Sequence, residues 1–128
     1  MIPSPAILSV AASVTTGAGT AAIAASLPHD GSTFWFCSGF EITGGGATAG
    51  AIKNATITGL LGGTLTYQVA VPSGVTSQAG PLIVEFPAAL PSVDVNTDVV
   101  LSMPSPGTGS AGVAIVLHGY KGAKQLNA

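Results

Sequence analysis

Strict alternation of apolar and polar residues is the feature that most limits how this chain can fold. In the segment TLTYQVAV, residues 64–71, every second side chain is Leu, Tyr or Val, and the side chains between them are Thr, Gln and Ala. Successive side chains of a β-strand point to opposite faces, so the pattern predicts a strand with one buried face. The same alternation occurs in PLIVEF (81–86), VVLSM (99–103) and AGVAIVLHGY (111–120). These segments predict four strands.

Four earlier segments of similar character complete the prediction. They are AILSVAASV (6–14), GTAAIAASL (19–27), STFWFCSGFEIT (32–43) and AIKNATITGLL (51–61), with Gly, Pro or Asp near each end. No segment has the 3.6-residue period of a helix. We therefore predict an all-β fold, an eight-stranded antiparallel β-sandwich of jelly-roll type. An immunoglobulin-like sandwich is the main alternative, although the paired Cys residues around a Trp that would favour it are missing.

The length of 128 residues corresponds to one domain. We expect a single β-sandwich domain over residues 1–128, with residues 1–10 as an extended N-terminal arm and residues 122–128 as a flexible tail. Pro3 and Pro5 favour extended backbone at the start of the chain. Such an arm would order on a neighbouring subunit, and a frayed terminus is the alternative.

Charge is scarce: the chain has three Lys, no Arg and five acidic residues, so that 6% of its residues are charged, against about 25% in soluble domains. Such a surface has little electrostatic protection against association, and we expect other subunits to cover much of it. Lys residues form no stripe, which argues against a nucleic-acid partner. The chain shows no apolar run of membrane-spanning length and no signal-peptide pattern. We therefore expect a soluble protein without membrane contact.

The two histidines do not form a recognisable catalytic or metal motif. His118 would share a strand face with Tyr120, but a single His without a matching nucleophile cannot supply the triad of acyl transfer. His29 lies beside Asp30 in a turn-forming segment, and no Cys, His or carboxylate follows at metal-ligand spacing.

The acidic residues are also dispersed. Glu41, Glu85, Asp94 and Asp98 are far enough apart that only folding would pair their carboxylates for glycoside hydrolysis. The segment DVNTD that contains the two Asp residues lacks the other ligands of an EF-hand loop. We predict no catalytic residues, no metal site and no cofactor, and a protein that is not an enzyme.

The segment FWFCSGF contains the only Trp, the only Cys and three of the four Phe residues. A regular strand would place Phe34, Phe36 and Phe40 on one face, which we expect to be the core, and Trp35 and Cys37 on the other. Because Trp is enriched at the buried centres of protein interfaces, we predict a subunit contact at Trp35 and Cys37. The alternative is that Trp35 lies under a loop of its own chain. Cys37 has no disulfide partner and is expected to act as a small apolar filler.

Residues 56 to 121 contain, in order, GGTLTY, a Pro-ended strand, FPAALP, NTDVVLSMP, a Gly/Ser-rich loop and HGY. In this order and style the segment resembles small virion proteins of tailed bacteriophages, in particular head decoration or cement proteins with a jelly-roll fold. The resemblance implies a structural protein, made in the host cytoplasm, that binds the outside of the assembled head as a dimer or trimer. Its partner would be the major capsid protein, whose neighbouring subunits it would bridge.

The sequence leaves other classes of function open. One is another virion component, such as a head fibre base, collar or tail protein, with receptor or carbohydrate binding that an exposed aromatic platform would favour. A second is a bacterial surface or pilus-like subunit, for which a signal peptide and a donated strand are expected. A hydrolase acting on cell wall or glycan is a more distant alternative.

Overall fold

The structure is a computed structural model that describes residues 9–15, 21–74 and 81–122. Within these ranges it contains eight β-strands and no helix. The strands are β1 (Ser9–Thr15), β2 (Ile23–Leu27), β3 (Phe34–Gly44), β4 (Ala51–Thr58), β5 (Leu65–Val71), β6 (Leu82–Pro91), β7 (Val99–Met103) and β8 (Val113–Gly122). The predicted strands are confirmed. Most of the predicted N-terminal arm and C-terminal tail, residues 1–8 and 123–128, lies outside the described residues.

The strands form two four-stranded sheets that pack face to face. The first sheet has the order β1-β8-β3-β6 and the second has the order β2-β7-β4-β5. All pairings between these strands are antiparallel. Strand β1 pairs with β8, β2 with β7, β3 with β6 and β4 with β5. These are the pairs of one long antiparallel ribbon rolled onto itself, which is the jelly-roll arrangement. The order differs from that of the immunoglobulin sandwich.

The core lies between the sheets and follows the predicted alternation along most strands. On β7 and β8 every second residue is buried: Val99, Leu101, Met103, Val113, Ile115 and Leu117. Each such side chain contributes roughly 1.5 to 3 kcal/mol of burial free energy. The sheets approach closely where Leu27 faces Gly119, because a Cβ at this glycine would lie 2.7 Å from the Cδ1 atom of Leu27.

Strand β3 departs from simple alternation, and the predicted Phe face is wrong over its first half. The ladder to β8 shifts register between Cys37 and Gly39, which leaves Ser38 as an extra residue in a β-bulge. Before the bulge, Trp35 and Cys37 face the core, and after it Phe40 faces the core. One inserted residue therefore reverses which positions are buried, because the side-chain period of a strand is two.

The Phe residues before the bulge lie on the outer face of the first sheet. Phe34 and Phe36 are only partly buried. The ring of Phe36 stacks on Tyr120 of β8 with a centroid distance of 5.4 Å and an interplanar angle of 15°. Of the three expected core phenylalanines, only Phe40 is fully buried.

In the described part of the chain there is no helix that could cross a membrane.

Candidate interaction surface

The jelly roll has one charged end, formed by the loops that connect β2 to β3 and β6 to β7. Asp30 accepts hydrogen bonds of 2.8 Å from the backbone N–H groups of Ser32 and Thr33 and of 2.7 Å from the Thr33 hydroxyl. The Lys121 ammonium lies 3.0 Å from the same carboxylate. The two backbone hydrogen bonds are the main reason why the pKa of Asp30 lies well below its usual range.

Two further carboxylates, those of Asp94 and Asp98 in the loop between β6 and β7, accept hydrogen bonds at the charged end. Asp98 accepts a 2.8 Å hydrogen bond from the backbone N–H of His29, and its Oδ1 atom lies 2.6 Å from the His29 Nδ1 atom. Asp94 accepts from the Thr97 hydroxyl at 2.7 Å and from the Asn96 N–H at 2.8 Å. The hydrogen bond from the His29 backbone N–H is the largest cause of the lowered pKa of Asp98. The hydrogen bond from the Thr97 hydroxyl is the largest cause of the lowered pKa of Asp94. These acids stabilise turns, and the described residues include no group of three or more metal-ligating side chains.

Folding brings Glu41, Glu85 and His118 to the outer face of the first sheet. The Nε2 atom of His118 lies 3.1 Å from Oε2 of Glu41, and in the ladders Gly39 is the residue between His118 and Glu85. Ser9 lines the same shallow groove, but no hydroxyl in the described ranges is hydrogen-bonded to His118. The imidazole and the carboxylate are within hydrogen-bonding distance, but the described ranges place no activated nucleophile beside them.

Sequence reasoning did not find this grouping. Its only signal is that each of the three residues interrupts an apolar strand: Glu41 in GFEIT, Glu85 in IVEF and His118 in VLHGY. The pairing of β3 with both β6 and β8 then decides that the three residues line one groove. Strand neighbours of this kind are set by long-range contacts, which the local pattern does not contain.

The predicted subunit contact at Trp35 and Cys37 is buried within the chain. Trp35 is 4% exposed and Cys37 is 0% exposed. The Trp35 indole N–H donates a 2.7 Å hydrogen bond to the Pro28 carbonyl, and the Lys121 ammonium lies 5.3 Å from the ring centroid. Burial raises the pKa of the Cys37 thiol to about 11. Of the two placements considered for Trp35, the structure therefore has the one under a loop of its own chain, because the bulge turns this part of β3 inward.

The end of the jelly roll opposite the charged loops carries no charged residue in its described part. We call residues 44–50, 72–74 and 104–112 the loop platform; they contain neither Asp, Glu, Lys, Arg nor His. Backbone hydrogen bonds join the three segments. The N–H of Ala47 donates to the Pro72 carbonyl at 3.0 Å, and that of Gly74 donates to the Ala47 carbonyl at 2.7 Å. The N–H of Thr48 donates to the Thr108 carbonyl at 2.8 Å. The platform is thus one connected, uncharged surface.

A second uncovered surface lies along one side of the sandwich. On one side β1 packs against β2, whereas β5 and β6 on the other side make little contact with each other. Six inward-facing residues of these two edge strands are only partly buried: Leu65, Tyr67, Val69, Leu82, Val84 and Phe86. We call these six residues the open flank.

Comparison with known proteins does not assign either surface. No protein-family model, no curated protein and no solved structure matches this chain. The charge, hydrogen bonding and exposure of the surfaces themselves, together with the resemblance of residues 56 to 121, therefore guide the proposal of a function.

Proposed function

We propose that this chain is a virion structural protein that binds the outside of an assembled phage head and stabilises contacts between major capsid protein subunits. The observation that carries the proposal is the loop platform, an uncharged end of the jelly roll whose three segments are held together by backbone hydrogen bonds. The resemblance of residues 56 to 121 to decoration proteins supports the same function. In this proposal the protein acts by binding and has no enzymatic activity.

The hydrogen bonds of the loop platform reduce the entropic cost of binding. Loops that order only on contact lose conformational freedom at that moment, whereas the Ala47 and Thr48 backbones are already held in place. Because the platform carries no formal charge, binding would rely on shape, apolar contact and hydrogen bonds. We therefore expect head binding that changes little between low and high salt, unlike binding through ion pairs.

A protein of this kind stabilises a capsid by mass action. If it binds the mature shell better than the precursor shell or the dissociated subunits, each bound copy shifts the equilibrium toward the mature state. Many copies on a symmetric lattice add their separate contributions. A modest affinity at each site is therefore enough to raise the heat stability of the whole particle.

The first test is the composition of purified particles of the virus that encodes this chain. Quantitative mass spectrometry should find the protein in many copies, in a fixed ratio to the major capsid protein. Absence of the chain from particles, or its presence in only a few copies, would contradict the proposal.

A second test locates the contact. Purified protein added to undecorated heads should raise the temperature at which they release DNA. Thr108→Glu places a charge on the exposed platform and should abolish most of this gain. Thr58→Glu is the matched control, because Thr58 is also exposed and lies at the end of β4 nearest the charged loops. If both variants lose the gain in DNA-release temperature equally, the loop platform is not the surface that contacts the head.

The stacked pair of Phe36 and Tyr120 favours a second candidate function, carbohydrate or receptor binding by another kind of virion component. Both rings lie on the outer face of the first sheet, and aromatic rings of this kind pack against the apolar faces of sugars. A glycan array would test this candidate. Binding that is lost in Tyr120→Ala and kept in Thr108→Glu would favour it over head decoration.

A further inference from the structure

We propose that the outer face of the first sheet binds a glycan that carries free amino groups. Its sugar rings would pack on Phe36 and Tyr120, and an ammonium group would lie in the groove between Glu41 and Glu85. The inference rests on the second candidate function, carbohydrate binding, and adds the class of sugar and the residues that recognise it. It does not depend on whether the protein binds a phage head.

The groove contains a large share of the titratable groups of an almost uncharged protein. Two of the five acidic residues, Glu41 and Glu85, and one of the two histidines, His118, line it. Ser9 and Ser38 add two hydroxyl groups, and no Lys is among the described lining residues. The groove has a volume of about 470 Å³, and small-molecule sites typically occupy about 300 to 1,000 Å³. It is therefore rich in hydrogen-bond acceptors, and its formal charge is negative.

Glu85 is the acid in this groove that has no partner. Within the described part of the chain its exposed carboxylate has neither an ion pair nor a hydrogen bond, whereas Glu41 has His118 at 3.1 Å. Hydrogen bonds from an ammonium group to a carboxylate are about twice as strong as those between neutral groups. Ile83, which is 58% exposed and directly opposite Glu41 in the ladder, gives the groove an apolar side. The groove is thus complementary to an ammonium group on a partly apolar framework.

The aromatic pair lies next to the groove and favours a sugar as that framework. Tyr120 and His118 are two residues apart on β8, so they share a face and lie about 6.5 to 7 Å apart. Ser9, which lines the groove, is the ladder partner of Tyr120 on β1. One ligand can therefore contact the rings and the carboxylates together. The apolar faces of sugars pack against aromatic rings, and their hydroxyl and amino groups donate hydrogen bonds to carboxylates. Sugars that carry carboxylates would be repelled by Glu41 and Glu85.

A matched pair of oligosaccharides tests the class of sugar. Isothermal titration calorimetry of the full-length protein compares a glucosamine tetramer with the same tetramer in its N-acetylated form, which has the same rings but no charge. Because only the first can place an ammonium group beside Glu85, we expect it to bind at least about 10-fold more tightly.

Three variants test the residues. Glu85→Gln keeps the size of the side chain and removes its charge, so it should weaken binding of the glucosamine tetramer about 10-fold and leave binding of the N-acetylated tetramer unchanged. Tyr120→Ala should weaken binding of both. Asn54→Lys is the matched control, because it changes the net charge by the same amount on the exposed outer face of β4 in the second sheet and should change neither affinity. Circular dichroism checks that each variant is folded.

The outcomes separate this inference from the candidate function on which it rests. Equal binding of the two tetramers, or full binding of the glucosamine tetramer by Glu85→Gln, would overturn the amino-sugar site while leaving carbohydrate binding in place. If neither tetramer binds and a glycan array also shows no binding, both the site and the candidate function are wrong. A Lys tetrapeptide that binds as tightly as the glucosamine tetramer would show that the groove recognises charge alone, which would overturn the assignment of a sugar.

Discussion

The indole N–H of Trp35 donates a 2.7 Å hydrogen bond to the backbone carbonyl of Pro28, and this bond ties the start of β3 to the loop that precedes it. The backbone of Trp35 is held as well: its N–H donates to the Ser92 hydroxyl at 3.1 Å, and its carbonyl accepts from the Ser92 N–H at 2.7 Å. The two loops of the charged end therefore meet at this one residue. These contacts all lie within one chain, so Trp35 contributes to the stability of the fold.

Replacement of Trp35 should destabilise the folded chain. Trp35→Ala removes a large buried side chain and leaves the Pro28 carbonyl without its donor, so we expect the free energy of unfolding to fall by about 3 to 5 kcal/mol. Urea denaturation followed by circular dichroism measures the loss. Phe34→Ala on the partly exposed outer face is the control and should cost less. A variant that unfolds like the parent but no longer self-associates would reinstate Trp35 as an interface residue.

The bulge in β3 leads to a prediction for Gly39. A Cβ atom there would lie 2.3 Å from the Val84 carbonyl oxygen, and backbone on β6 cannot move away without breaking the ladder. Gly39→Ala should therefore lower the free energy of unfolding by about 2 kcal/mol or more. Gly62→Ala is the matched control, since no atom lies within 4 Å of the position that its new methyl group would occupy, and we expect it to be neutral or slightly stabilising. Equal stability of the two variants would contradict the close approach of β3 and β6.

Cys37 should react only when the fold opens. Its thiol is buried and its pKa is raised to about 11, so little reactive thiolate exists at neutral pH. We expect labelling by a disulfide reagent to be slow in the native protein and fast in denaturant. Addition of Trp35→Ala should accelerate native-state labelling, because that variant raises the unfolded population. Rapid labelling of the unmodified native protein would show that Cys37 is accessible.

Acid should weaken the charged end first. The pKa values of Asp30, Asp94 and Asp98 are lowered in the folded state, so the stability that they contribute is present above their unfolded pKa of about 3.9 and is lost as pH falls toward their folded values. We expect the free energy of unfolding to decline as pH drops below about 4. Asp30→Asn should lower stability at neutral pH and flatten this decline. An unchanged pH profile in that variant would contradict the role of Asp30.

Prediction from sequence succeeded where each strand keeps a strict period of two. The buried positions Val99, Leu101 and Met103 on β7 are those that the alternation indicates, because one inserted or deleted residue would be visible as a break in the pattern. It failed at FWFCSGF, where both faces are apolar and the sequence contains no mark of the extra residue. Only pairing with β8 shows that Ser38 is a bulge and that Trp35 is buried.

Local sequence alone determined that the described part of this chain is all-β, that it forms eight strands, and where its turns fall, because side-chain period and turn residues are properties of neighbouring positions. Tertiary structure decided which strands are adjacent, and with that the His118–Glu41 pair, the connected loop platform and the open flank. These features join residues far apart in the chain. Their contacts depend on how the ribbon rolls up, and that is set by the packing of the whole core.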